Sequence, residues 1–266
     1  MKRTFSLVAT FGLALVPCFV PCLGGTAHAQ EDLSGDSATY VPTQNVTRVL
    51  PTTSSAVVAA SPTWTMAAGG YDGAAKTPVF TLGTEVRIAR GVSLVAAVAY
   101  SSALASDAQL RPQFGARVQF LREAAAGVDG SATVLYRGDR FTSEDGLFQG
   151  ALAFGRSFGA SSAVVNLVYG QDGEGDDHEA EIRVAWLRPM AGNLHLGLEG
   201  RYMHAIESTD PNRVALGTPS MEAMAGPLLA YRIGTWAIVG EAGIASRRTT
   251  RLETGVAAIA GVGTSF

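Results

Sequence analysis

Along most of this chain, apolar and polar residues take turns. Phe80, Leu82, Val86 and Ile88 alternate with Thr81, Gly83, Glu85 and Arg87, and Phe114, Ala116, Val118 and Phe120 with Gly115, Arg117 and Gln119. Ala180, Ile182, Val184 and Trp186 interleave with Glu179, Glu181 and Arg183, and Leu194, Leu196, Leu198 and Tyr202 with His195, Gly197, Glu199 and Arg201. Alternation over this length predicts a strand with one apolar and one polar face. On a helix, charges two residues apart would sit about 200° from each other and spoil any single apolar face. Weaker runs at 63–69, 92–101, 131–137, 147–156, 163–169, 221–231, 235–244 and 252–266 bring the expected count to twelve strands.

The connectors alternate too. Long ones are expected at 70–76, 103–110, 138–145, 170–178, 205–217 and 245–251; tight ones fall at 89–91, 189–193 and 232–234, with 124–130 longer than the pattern asks. Long loops at one end, short turns at the other and an even strand number make an all-β fold, an antiparallel transmembrane β-barrel of about twelve strands. A soluble sandwich or lipocalin-like barrel alternates as well, but turns its polar set to water. Composition decides between them. Charged residues are 16% of the chain and hydrophobic ones 47%, against about 25% charged in a soluble domain. The polar positions are padded with Gly, Ala and Ser, too sparse in charge for a soluble exterior.

In a barrel, that polar set faces the lumen. Glu85, Arg87, Arg117, Glu181, Arg183, His195, Glu199, Arg201 and Glu241 would then set the ion selectivity of a channel or, in a plugged barrel, neutralise one another. Small residues at Gly83, Gly115, Ala151, Ala153, Gly155, Gly197, Gly255, Gly261 and Gly263 leave room, which favours a narrow channel. A nucleic-acid binder is disfavoured, since pI is near 5.8 and the densest basic cluster is Arg247, Arg248 and Arg251. After residue 30 no apolar run reaches the roughly 20 residues of a membrane helix.

Residues 1–29 carry a different signal. Lys2 and Arg3 precede an apolar stretch, and Ala27-His28-Ala29 supplies small residues for cleavage, as in a secretory leader. Pro17, Pro21, Gly24 and Gly25 interrupt what would otherwise be an anchor helix, and Cys18 and Cys22 each follow a proline where lipoprotein signals carry a small residue. Cleavage removes both cysteines, so no disulfide or thiolate site is expected, and leaves 18 basic residues against 23 acidic. Residues 30–61 are polar and small, a flexible N-terminal arm. The barrel is expected over 62–266.

Over 62–266 the pattern resembles the outer-membrane β-barrel proteins of Gram-negative bacteria. The terminal Phe266, with Val262, Ala260, Ala258 and Val256 on its face, carries the sharpest part of that likeness. The resemblance implies an outer-membrane location, a lipid-facing exterior, recognition of Phe266 by the barrel assembly machinery and both termini in the periplasm. The chain is expected to be a monomer without cofactor or catalytic centre that passes small solutes passively. Thr264 and the small residues of the last strand depart from the usual aromatic ending. Trp64, Tyr100, Tyr136, Tyr169, Trp186, Tyr202, Tyr231 and Trp236 are expected in the interfacial girdles.

The most charged stretch, 170–179, offers Asp172, Glu174, Asp176 and Asp177 as candidate ligands for a hard cation. EF-hand spacing fails, because Asp177 and Arg183 stand where Gly and Glu are needed. A solvated outer loop is the expectation. Asp176 and His178 have the Asp-x-His spacing of omptin-type proteases, with Glu144 and Asp145 as conceivable partners. A barrel lipase would need Ser two residues after a His, and His178, His195 and His204 are followed there by Ala180, Gly197 and Ile206. A surface-interaction barrel is the alternative to the channel, and a hydrolase the third reading.

Overall fold

The computed structural model describes residues 63–101, 109–138, 146–173, 175, 177–208 and 219–266. The expected leader and N-terminal arm lie outside them. Twelve strands follow in order: β1 (Thr63–Asp72), β2 (Thr77–Ala89), β3 (Val92–Ser101), β4 (Gln109–Leu121), β5 (Asp129–Gly138), β6 (Gly146–Phe158), β7 (Ser161–Asp172), β8 (Asp177–Ala191), β9 (Leu194–Ser208), β10 (Met221–Ile233), β11 (Trp236–Arg248) and β12 (Leu252–Ser265). Each pairs antiparallel with its chain neighbours, and β1 closes on β12 from Trp64↔Ser265 to Asp72↔Ala257. The Phe266 N–H donates to the Thr63 carbonyl at 2.9 Å, finishing the seam. Closure leaves no unpaired edge, the condition for a sheet to lie in lipid.

The short-turn end is built on glycine. Two-residue turns at 90–91, 159–160, 192–193 and 234–235 place Gly91, Gly159, Gly192 and Gly234 at positive φ between 54° and 74°, the backbone that a tight hairpin needs. The longer connector at 122–128 holds one helical turn, α1 (Glu123–Ala126), whose Glu123 N–H donates to Asp129 Oδ1 at 2.9 Å. At the other end several expected connectors are shorter than expected, with β9 running to Ser208 and β11 to Arg248. The stretch 170–179 is mostly paired, since β7 runs to Asp172, β8 starts at Asp177 and Gln171 sits opposite His178. Likewise β1 extends three residues beyond 69. Ladder hydrogen bonds continue past the apolar alternation, because a polar strand end meets water there and loses nothing by pairing.

The alternation sorts as expected. Outward positions such as Val134 (64% exposed), Ile244 (65%) and Val256 (71%) form an apolar belt, untenable in water and suited to lipid. Near the long-loop end, Phe80 meets Tyr100 (ring centroids 6.0 Å apart), and Tyr136 meets both Phe114 (5.2 Å) and Phe148 (5.1 Å). This row across β2–β6 is an interfacial girdle. Trp64, also expected in a girdle, does not face outward. It shares the face of Met66 and Ala68 and is buried inside the barrel. A closed, even-stranded antiparallel barrel with a lipid-facing apolar belt is an outer-membrane protein.

Candidate functional site: the barrel lumen

Inward residues divide the lumen into two walls. From β10 through β12 and β1 to β3 the buried inner face is mainly apolar. Trp64, Met66, Val79, Met224, Ala257 and Ile259 belong to its largest cluster, with Leu228, Ala230 and Val239 in a second. From β4 to β9 the inner face is mainly polar, with Gln113, Arg117, Thr133, Gln149, Asn166, Glu181, Arg183 and Arg201 all buried.

The polar wall holds a chain of ion pairs. Arg183 Nε and Nη2 donate to the two oxygens of Glu181 at 2.7 and 2.8 Å. Arg201 reaches the same carboxylate at 2.6 Å and Glu222 Oε2 at 2.7 Å. Arg183 and Arg201 stand directly opposite in the β8–β9 register. Like charges so placed repel, and Glu181, shared by both, makes the arrangement tenable. A second network joins β2 to β5. Ser93 Oγ donates to Glu85, Arg117 Nη1 lies 3.5 Å from Glu85 Oε2, and Arg117 Nε donates to Thr133 Oγ1 at 3.2 Å. At the long-loop mouth Arg137 Nη1 lies 3.8 Å from Glu179 Oε1. Glu179 leans there across Gly170, where a Cβ would lie 2.8 Å from its Cγ.

The other mouth-side contact is a turn. Between β1 and β2, Asp72 Oδ1 accepts from the N–H groups of Ala74 and Ala75 at 2.9 and 3.1 Å. Ala74, 2% exposed, joins the apolar cluster with Met224 and Ala245. The turn fits only because Gly255 has no side chain, since a Cβ there would lie 2.3 Å from the Gly73 carbonyl carbon.

Of the nine expected lumenal residues, Glu85, Arg117, Glu181, Arg183, Glu199, Arg201 and Glu241 are buried on the inner face. Arg87 and His195 lie on that face at the short-turn rim, half-buried; Arg87 is outside these networks. Alternation missed Glu222 because β10 alternates poorly, with Gly226 and Pro227 in mid-strand. Gln113, Gln149 and Asn166 were findable by parity with Arg117, Ala151 and Val168, but carry no charge to mark them. Gly115, Gly261 and Gly263 do not leave the room expected of them. A Cβ at Gly115 would lie 2.8 Å from Leu135 Cδ2, at Gly261 3.1 Å from Met66 Cε and at Gly263 2.8 Å from Trp64 Cζ2. Larger neighbours lie over them.

The cation and protease candidates fare differently. Asp172 Oδ1 accepts from the Gly175 N–H at 2.7 Å, closing the β7–β8 turn. Glu174, Asp176, Glu144 and Asp145 lie outside the described residues, as does the Asp177 side chain. His178 faces outward, its Nδ1 2.6 Å from the Tyr169 hydroxyl, and so stands on the lipid side of the wall. Among the described residues no group of three His, Asp or Glu is placed to hold a metal.

No protein-family model matches the chain, and no curated protein matches it by sequence. Solved structures do. The KdgM porin superposes with a TM-score of 0.55 at 13% identity, covering 77% of this chain and 99% of its own. The NanC porin gives 0.53 at 10% identity, with 76% and 98% covered. The likeness is one of fold alone, a closed antiparallel β-barrel.

Proposed function

We propose that this barrel is a narrow outer-membrane channel that passes small solutes passively along the polar wall of its lumen. The observation that carries the reading is the run of charged and amide side chains on β4–β9, from Ser131 and Arg117 up to Arg137 and Glu179. Such a lane lets a solute exchange its water for side-chain partners step by step. The porin-type fold supports the same reading, and the close covering of the inner face limits passage to small species. Insertion by the barrel assembly machinery through Phe266 belongs to this proposal.

Conductance of the purified protein in a planar bilayer tests it. Small discrete steps are expected, with cation preference rising in Arg87→Glu, a rim change outside the ion-pair networks. A second reading, a barrel with a permanently filled lumen that works through its outer loops, is favoured by the burial of Glu85, Met203 and Ala257 at 0% exposure. Silence from folded, inserted protein would decide for it.

A further inference from the structure

On its lipid-facing side, at the short-turn end, the barrel carries a feature that passage through the lumen does not use. The outward residues of β7 are small there, Ser161 and Ala163, while the strands on either side carry large ones. By register, Phe158 of β6 lies opposite Ser161, and Arg156 opposite Ala163, which has Trp186 of β8 on its other side. Ser162 pairs with Leu187, so Arg188 comes level with Ser161 and Phe158. Each flank of β7 thus presents one arginine and one aromatic, in opposite order, and all four side chains are exposed. Strands two apart stand about 10 Å from each other, so Ser161 and Ala163 floor a shallow recess. Arg156 starts one residue pair further from the turn than Phe158, yet its Cζ lies 5.4 Å from the Phe158 ring centroid. It leans along the aromatic face toward the membrane surface, which brings its guanidinium to the level of Ser161 and Arg188.

We infer that this recess binds an anionic phospholipid of the inner leaflet, its phosphate between Arg156 and Arg188 and an acyl chain along Ala163 toward Leu167. The short turns of such a barrel face the periplasm, which sets the recess at the headgroup level of that leaflet. Guanidinium forks match phosphate oxygens, and the Ser161 hydroxyl supplies a further donor. The headgroup is anionic because no negative group is there to meet an ammonium. Among the described residues neither Arg156 nor Arg188 pairs with a carboxylate. At this end Glu123 already accepts from the Ser157 N–H and Oγ at 2.8 and 3.0 Å, and Asp129 from the Glu123 N–H. Continuity with the apolar belt selects a lipid over free phosphate. Beyond the arginines the outward face runs on through Leu152, Leu167 and Val184, a track for a hydrocarbon chain that a free anion would leave unused.

Brominated acyl chains quench a tryptophan they touch, and Trp186 stands in the wall of the recess. The full chain, with Trp236→Phe to remove the other outward tryptophan, is purified from outer membranes and placed in phosphatidylcholine vesicles. Bromine is then carried either by added phosphatidylglycerol or by added phosphatidylcholine. Brominated phosphatidylglycerol is expected to reach half-quenching at a mole fraction about fivefold lower, and equal curves would overturn the inference. Arg156→Gln with Arg188→Gln should remove the difference, while Arg90→Gln, at an exposed arginine of the β2–β3 turn, should leave it. Equal losses in the two would mean diffuse attraction to the whole rim and would overturn the site. Ala163→Phe fills the recess without touching its charge and should abolish the preference too, which keeps the test open if the double variant does not fold. A preference that survives Ala163→Phe in folded protein counts against the recess. Inorganic phosphate at matched ionic strength should leave the quenching unchanged, and its loss would reassign the recess to the free anion, overturning a lipid ligand. None of these readings depends on conduction, so the channel and the lipid site stand or fall separately.

Discussion

The two walls of the lumen are buried to the same degree by opposite means. On the β10–β3 side, Met66, Leu228, Val239 and Ile259 exclude water because they are apolar, and their packing tolerates any neighbour of the right size. On the β4–β9 side, Glu181, Arg183 and Arg201 are equally hidden, but each depends on a particular partner at a particular distance. The apolar wall therefore supplies stability that is spread over many contacts. The polar wall supplies specificity and concentrates risk, because one missing group strands a charge away from water. The difference also explains the division of labour proposed above, with passage on the polar wall and packing on the other.

The largest effect should come from Glu181→Gln. It leaves two opposed guanidiniums without their shared carboxylate, at a cost of about 3–5 kcal/mol. The fall in urea midpoint for the refolded barrel checks this, and adding Arg183→Gln should recover part of the loss. Next comes Leu228→Ala on the apolar wall, expected to lower stability by about 2–4 kcal/mol through the cavity it leaves. Ion preference should stay unchanged. If Leu228→Ala proved more costly than Glu181→Gln, the contrast between the walls would be wrong. Thr133→Val removes the acceptor of Arg117 Nε while keeping its shape and should cost about 1–2 kcal/mol. Smallest is Arg87→Glu at the rim, within about 0.5 kcal/mol in stability despite its expected effect on ion preference.

Much of the site was legible in the primary structure because parity along a strand is a hard constraint. Once Glu85 or Arg183 is placed inward, every second neighbour follows it, and seven of nine candidates are buried on the inner face accordingly. The girdle assignment of Trp64 shows the limit. Its parity places it with Met66 inside the barrel, but aromatic identity near a strand start pulled the reading outward. The acidic stretch 170–179 shows another. Charge density suggested a loop, while the ladder between Gln171 and His178 holds it as a hairpin.

By itself, the sequence determined strand number, the sidedness of loops and turns, and which residues face lipid. Each of these follows from local period and composition, and none depends on a distant partner. Only the tertiary structure decided that Glu181 bridges Arg183 and Arg201, that Leu135, Met66 and Trp64 cover Gly115, Gly261 and Gly263, and that the lumen has one apolar and one polar wall. Those facts depend on register between strands and on closure of β1 against β12. Register brings together residues from separate alternating runs, and no single run records its neighbour's offset.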